Sequence, residues 1–331
     1  MPLFTWGIRS RFEGVDQVRD TLENGDWSLI LGGSSGMGLA TAKKLASHGM
    51  NVFIVHRDRR GSMHEIQKKF DEIRAHGVRL ETINTDALSL DGRNSILDQL
   101  AVKLGNGKIS LLLHSIALGN LKPAAPQKSP DVDDSTLALL AEASGLHVEK
   151  LEQAMRGLLA QGHQKFAELL GEDRAHFSDT LLDEEDFAQT IYSMGTSLMF
   201  WVQDLHLRNL FAADARVLGL TSEGNHTAWQ GYAAVSAAKC ALESIARSIA
   251  YEFAVHGIRC NILQPGVTDT PALRLIPGSK QMKYLAIERN PFSRLTTVED
   301  VANVVYLMSL KEAAWINGAL IRVDGGEAVS R

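Results

Sequence analysis

Seven short apolar runs recur along the chain, at residues 27–31, 51–55, 78–85, 110–113, 217–221, 259–263 and 319–323. Segments of helical period, such as 37–49 and 63–76, lie between the early ones. This alternation constrains the fold more than any other feature. Strands that are apolar on both faces need cover on both faces, and parallel strands need a crossover between them. The pattern therefore predicts an α/β protein: a single doubly wound (Rossmann) parallel sheet of about seven strands. Ligands of such a sheet sit at the carboxyl ends of its strands.

Two stretches exceed that plan. Residues 1–26 form an N-terminal extension, with a helix expected over 15–23, ahead of a Rossmann-fold domain at 27–331. Residues 122–185 read as a long, mainly helical insertion after the fourth strand. It opens with Pro123, Pro126 and Pro130, which favour an irregular linker. It continues with Val148, Leu151, Met155, Leu158 and Leu159 at helical spacing, weakened by Gly157 and Gly162. Such a segment serves either as a surface elaboration or as a lid over a cleft at that sheet edge.

Composition narrows the classes of function. With 45% hydrophobic residues, 331 residues can bury a full core. A net charge of −5 argues against a nucleic-acid surface, which needs a basic face. No apolar run approaches the roughly 18 residues of a membrane span. Residues 1–7 lack a basic region followed by an apolar stretch, so the expectation is a soluble cytoplasmic protein. Cys240 and Cys260 lack metal-ligand spacing and both adjoin apolar runs, so both are expected to be buried and inert. The histidines offer no metal site either.

Between the first strand and the first helix the chain reads Leu31-Gly32-Gly33-Ser34-Ser35-Gly36-Met37-Gly38. Glycines at that junction permit a tight turn and let the backbone approach a pyrophosphate, whose charge meets the helix N-terminus. The second strand ends in His56-Arg57-Asp58. An acidic residue at that point would bind the ribose hydroxyls of NAD, whereas arginine accommodates a 2′-phosphate. Arg57 favours NADPH, with NADH as the alternative because Asp58 follows it.

Tyr232 precedes Lys239 by seven residues. At about 100° per residue a helix returns to nearly the same face over that spacing, so a phenol and an ammonium can enter one cleft from one helix. Four residues before Lys239 stands Val235, which has no proton to give.

Assembled, these residues resemble the short-chain dehydrogenase/reductase superfamily. Asp86-Ala87 is similar to the pair that contacts adenine in that family. Asn261-Ile-Leu-Gln-Pro-Gly266 with Thr270 is similar to the segment that closes over nicotinamide, and Val323-Asp-Gly-Gly326 to the last strand. The family's usual Tyr-x3-Lys is here Tyr232-x6-Lys239. That change, with His114-Ser115-Ile116-Ala117 and Met194-Gly-Thr-Ser-Leu198, resembles the enoyl-acyl-carrier-protein reductases that keep the ordinary glycine-loop spacing. The resemblance implies a cofactor site built from Gly32, Ser34, Ser35, Gly36, Met37, Gly38, Arg57, Asp86, Ala87, Ser115, Ile116, Ala117, Lys239, Pro265, Gly266, Val267 and Thr268. It implies Tyr232 and Lys239 as catalytic residues, with Ser222, ten residues before Tyr232, as a further hydrogen-bond donor. His114 is expected to be structural or cofactor-adjacent.

The implied reaction is NADPH-dependent reduction of a trans-2-enoyl thioester in fatty-acid-type metabolism, by a homotetramer. The carrier would be coenzyme A or an acidic acyl carrier protein, the latter met by Lys280 and Lys283. A 3-oxoacyl or carbonyl reductase and a non-catalytic, cofactor-binding regulator are the alternatives.

Overall fold

In a computed structural model of the chain, residues 26–126, 135–160 and 180–330 are described below. The helix expected over 15–23 lies outside them. Seven parallel strands form one sheet: β1 Asp26–Leu31, β2 Asn51–His56, β3 Leu80–Asn84, β4 Lys108–His114, β5 Phe211–Leu220, β6 Ile258–Pro265 and β7 Leu320–Val323. Their order is β3-β2-β1-β4-β5-β6-β7. The direction of winding reverses between β1 and β4, which are paired from Asp26↔Lys108 to Leu31↔His114. Loops leaving β1 and β4 therefore diverge, and a crevice opens at their carboxyl ends.

The seven expected strands are all present. The fifth is longer than the apolar run 217–221, because Phe211 pairs with Ile109 and is buried with Ala212 although Asp214 interrupts the run. Two cores flank the sheet. One contains Trp27, Phe53, Leu112 and Trp201; the other contains Ile54, Phe70, Leu113 and Val305. Alternate residues of the same strands feed opposite cores, which is why β1, β2 and β4 are apolar almost throughout.

Helices α1 Gly36–Ser47, α2 Met63–Arg74 and α3 Leu90–Leu104 follow the first three strands. α3 is barely legible in sequence because Gly92, Arg93 and Asn94 crowd its first turn. The Ser89 side chain starts it by accepting the Gly92 N–H at 3.1 Å. Two helices of the insertion, α4 Ser135–Ser144 and α5 Val148–Ala160, confirm helix at the expected leucine spacing.

The chain rejoins the sheet through α6 Glu184–Ile191, a π-helical turn at Tyr192–Thr196, and α7 Ser197–Leu207. Asp183 caps α6, accepting the Asp186 N–H at 2.8 Å. The two ends of the insertion are tied together. The Leu182 N–H donates to the Pro123 carbonyl at 2.9 Å, Asn120 N–H to Thr190 Oγ1 at 3.0 Å, and Lys122 pairs with Asp186. After β5 come α8 Ala233–Glu252, α9 Ser279–Arg289 and α10 Val298–Ser309. Among the described residues no helix is long and apolar enough to cross a membrane. One expectation fails: Cys260 is buried but Cys240 is exposed, because it follows Lys239 on the outward side of α8.

Candidate active site

The segments at 31–38, 56–58, 86–87, 114–117 and 265–268 and Ser222 all lie at or just after the carboxyl ends of β1 to β6. Gly32 turns with φ +89°, and its N–H donates to the Val55 carbonyl at 2.9 Å. A Cβ on Gly32 would meet the Ser115 carbonyl oxygen at 2.5 Å, so the β1 and β4 loops can touch only because none is there. Ser115 N–H in turn donates to the Leu31 carbonyl at 2.9 Å. Gly36 opens α1, whose first turn holds no acidic residue and whose Ser35 side chain caps no N–H. This leaves the backbone donors and the positive end of the helix dipole to an anion from outside. Ser34, Ser35, Gly36, Met37 and Gly38 all lie at this end, and the donor set fits a dinucleotide pyrophosphate.

At the ends of β2 and β3, Arg57 stands beside Asp86 at 3.4 Å, with both side chains largely open to solvent. Asp58 is drawn away: its carboxylate meets His56 Nδ1 at 2.9 Å, and its backbone N–H donates to Asn84 Oδ1 at 3.0 Å. Asp86 Oδ1 accepts the Leu88 N–H at 3.0 Å, which turns the chain at Ala87 toward α3.

Tyr232 and Lys239 are placed a little differently from the expectation of one helix. α8 begins at Ala233, and Tyr232 is its N-cap residue, with φ −107°. Its carbonyl still accepts the Ser236 N–H at 2.8 Å, so the first turn is closed on it. The phenol hydroxyl lies 3.3 Å from Ser222 Oγ. Burial raises the Tyr232 pKa above the ordinary value, with the Ser222 contact opposing it. Lys239 is buried and donates to the Leu220 carbonyl at 2.7 Å. Burial lowers its pKa to about 8, and the charge of Glu243 opposes the fall.

His114 is buried, with Nε2 2.9 Å from Ser197 Oγ. Burial, and secondarily the Lys239 charge, lowers its pKa to about 3, so it is a neutral imidazole at ordinary pH. This agrees with a structural or cofactor-adjacent place. Val235, at the position where the commoner Tyr-x3-Lys would put its tyrosine, is 3% exposed and packs with Met194 and Ala238.

A cavity of about 650 Å³ opens beside the phenol. Pro123–Pro126, Ala228, Trp229 and Tyr232 are among its walls, and among the described residues no charged side chain lines it. The stem of the insertion is thus one wall of the cleft. Pro265, Gly266, Val267 and Thr268 close the β6 end of the edge, with Thr268 Oγ1 donating to the Gly266 carbonyl at 2.9 Å.

Two contributors escaped the sequence reading. Glu243 accepts from Thr221 Oγ1 at 2.5 Å and from the Asn225 amide, fixing the loop that carries Ser222. Its spacing of four from Lys239 was the available signal. Gly224 lies against the Tyr232 ring, where a Cβ would meet Cε1 at 2.3 Å. Nothing in the sequence distinguishes that glycine from a turn glycine.

Residues 26–139 match the short chain dehydrogenase family model, and residues 170–327 match a model described as enoyl-(acyl carrier protein) reductase. Residues 140–169, within the insertion, fall outside both. A tropinone reductase homolog of Arabidopsis thaliana is 25% identical over 315 residues, covering 95% of each chain. A cis-4-hydroxycyclohexanecarboxylate dehydrogenase of Sinomonas cyclohexanicum is 24% identical over 303 residues, covering 90% of this chain and 95% of its own. Among solved structures, an angucycline C-6 ketoreductase with bound NADP superposes with a TM-score of 0.66 at 18% identity, covering 92% of this chain and 96% of that one. The chain belongs to the short-chain dehydrogenase/reductase superfamily and is an oxidoreductase of that family, whose members bind NAD(P).

Proposed function

We propose that the protein reduces the carbon–carbon double bond of a trans-2-enoyl thioester with NADPH. The observation that carries this reading is the buried, apolar Val235 at the x3 position, with the only phenol of the helix start at Tyr232, one turn earlier. A nicotinamide held at the 32–38 and 265–268 segments would supply hydride to the substrate β-carbon, and a proton from the Tyr232 hydroxyl or from solvent would complete the α-carbon. Negative charge would then develop on the thioester oxygen, whose carbonyl carbon is two atoms from the carbon that accepts hydride. A donor for that oxygen belongs further along the cleft than one serving a ketone.

Tyr232 supplies that donor. Its raised pKa keeps the phenol protonated and able to hydrogen-bond the developing enolate. Ser222 orients the hydroxyl from 3.3 Å. Lys239 anchors the nicotinamide ribose and offsets negative charge nearby. The cavity beside the phenol, largely apolar among the described residues, suits an acyl chain. Arg57, with Asp58 occupied by His56, supports the preference for NADPH.

The same reading gives α9 to the carrier. Lys280 and Lys283 lie on it, Lys283 being 3.8 Å from Asp269, and an acidic carrier protein would meet them there. It also gives the exposed Phe200, Leu207, Tyr251 and Val255, on and just after α7 and α8, to contacts between subunits of a homotetramer in the cytoplasm.

The activities of the tropinone reductase homolog, the hydroxycyclohexanecarboxylate dehydrogenase and the ketoreductase favour a second reading, a carbonyl reductase, in which Ser222 and Tyr232 together bind a ketone oxygen. The deciding assay is NADPH oxidation with crotonyl-CoA and a longer trans-2-enoyl-CoA, against the matching 3-oxoacyl-CoA. Turnover of the enoyl thioesters alone is expected. Turnover of the oxo substrate alone would sink the enoyl reading.

A further inference from the structure

Arg289, the last residue of α9, joins two segments that flank the expected nicotinamide position. Its Nη2 lies 3.1 Å from Glu223 Oε2 and 3.0 Å from Glu327 Oε1. Glu223 follows Ser222 directly, in the loop that carries the proposed donor. Glu327 lies beyond β7, is 2% exposed, and its other oxygen accepts the Val267 N–H at 3.1 Å. That carboxylate oxygen also sits 2.6 Å from where a Gly266 Cβ would be, so it presses against the Pro265–Thr268 segment from behind. The C-terminal turn is fastened to the same point: the Ser330 hydroxyl donates to the Arg289 carbonyl, and Asn290 Nδ2 donates to the Asp324 carbonyl at 2.9 Å.

A carboxylate this deeply buried is tolerable only with a hydrogen-bonded cation beside it. Arg289 is that cation, and it spends its other contact on the Ser222 loop. We propose that Arg289 is a positioning residue that sets the nicotinamide-side loop through Glu327 and the catalytic serine loop through Glu223. Neither carboxylate touches the reacting atoms. Without Arg289, Glu327 must take up a proton or turn toward water, and either change loosens its hold on the Val267 N–H. Cofactor binding would then have to order Pro265–Thr268, a cost the native protein has already met. This inference rests on the assignment of 265–268 to the cofactor, and its primary readout is cofactor binding rather than turnover.

The test is NADPH titration by tryptophan fluorescence on Arg289→Met, Arg289→Lys, Glu327→Gln, Glu223→Gln and the pair Arg289→Met/Glu327→Gln, with kcat on the enoyl thioester beside it. Arg289→Met is expected to weaken NADPH binding about tenfold and to lower kcat as well. Arg289→Lys, which keeps the charge but cannot reach both carboxylates in a fork, should lie between it and the native protein. Glu223→Gln should lower kcat with NADPH affinity unchanged. Glu327→Gln alone should weaken NADPH binding less than Arg289→Met, since its one amide oxygen can still accept from Val267 although its Nε2 then faces Arg289. In the pair, NADPH affinity should return toward the native value while kcat stays low. A merely structural bridge would lower the melting temperature of all variants with no such split. NADPH affinity within twofold of native in both Arg289 variants, or no recovery in the pair, overturns the proposal. Failure of the native protein to bind NADPH would instead overturn the cofactor assignment itself.

Discussion

The hydroxyls of Ser222 and Tyr232 stand 3.3 Å apart, although one ends the β5 loop and the other caps α8. In the proposed function Tyr232 donates to the substrate oxygen and Ser222 orients its hydroxyl, so the two should not be equivalent. Tyr232→Phe keeps the ring against Gly224 and removes the proton, so kcat should fall by about 100- to 10,000-fold with NADPH affinity unchanged. Ser222→Ala should cost less, about tenfold to a hundredfold, because the tyrosine remains. Steady-state kinetics on the two variants, with NADPH titration, checks both. A larger loss in Ser222→Ala than in Tyr232→Phe would reverse their roles.

Restoring the commoner spacing should fail. Val235 is 3% exposed, and its Cγ2 lies 2.9 Å from where a Gly119 Cβ would be. A tyrosine ring placed there overpacks the site against Met194 and Gly119. Val235→Tyr should therefore destabilise the protein by about 1–3 kcal/mol and should not rescue Tyr232→Phe. Thermal melts and the assay on the double variant decide this; recovered activity would show that the x3 position can still reach the cleft.

Lys239 makes activity and stability move in opposite directions with pH. Its pKa in the native protein is lowered to about 8 from 10.5. Between those values the unfolded chain holds the proton and the native one does not, so stability of the cofactor-free protein rises with pH across that window. Below about pH 8 the buried ammonium is charged in both states and its burial is fully costly. In the proposed function Lys239 acts as a cation, so kcat/KM for NADPH should decline as pH rises through about 8. Lys239→Met should abolish both trends. A flat kcat/KM profile from pH 7 to 9.5 in the native protein would contradict the assignment.

Arg57 should set cofactor choice. Arg57→Ala is expected to weaken NADPH binding about tenfold and leave NADH binding nearly unchanged, since only the former carries a 2′-phosphate. Salt should weaken NADPH binding to the native protein more than to the variant. Equal loss for both cofactors would place Arg57 on the pyrophosphate or the protein scaffold instead.

Particular residues show where the sequence was legible. The apolar runs and the glycines after residue 31 specify strands, their parallel sense and the cofactor edge, because burial on both faces and close backbone approach leave direct traces in residue type. The runs of Leu111, Leu112 and Leu113 could be little else. Local competition hid other features. α3 begins with residues that disfavour helix, and β5 begins before its apolar run, because burial against α7 outweighs the polar Asp214. Cys240 looked buried beside alanines, yet it faces outward, since the side of a helix a residue occupies is settled by packing.

The amino-acid sequence by itself determined the alternation of strand and helix, the dinucleotide-binding edge and the spacing of Tyr232 and Lys239, because each is written in neighbouring residues. Tertiary structure alone decided that the ends of the insertion close on each other beside the phenol, that Asp58 is taken by His56, and that Glu223, Arg289 and Glu327 meet. Those groups are 38 to 104 residues apart. No local pattern encodes such a meeting; it exists because the sheet brings the ends of β5, β6 and β7 to one edge.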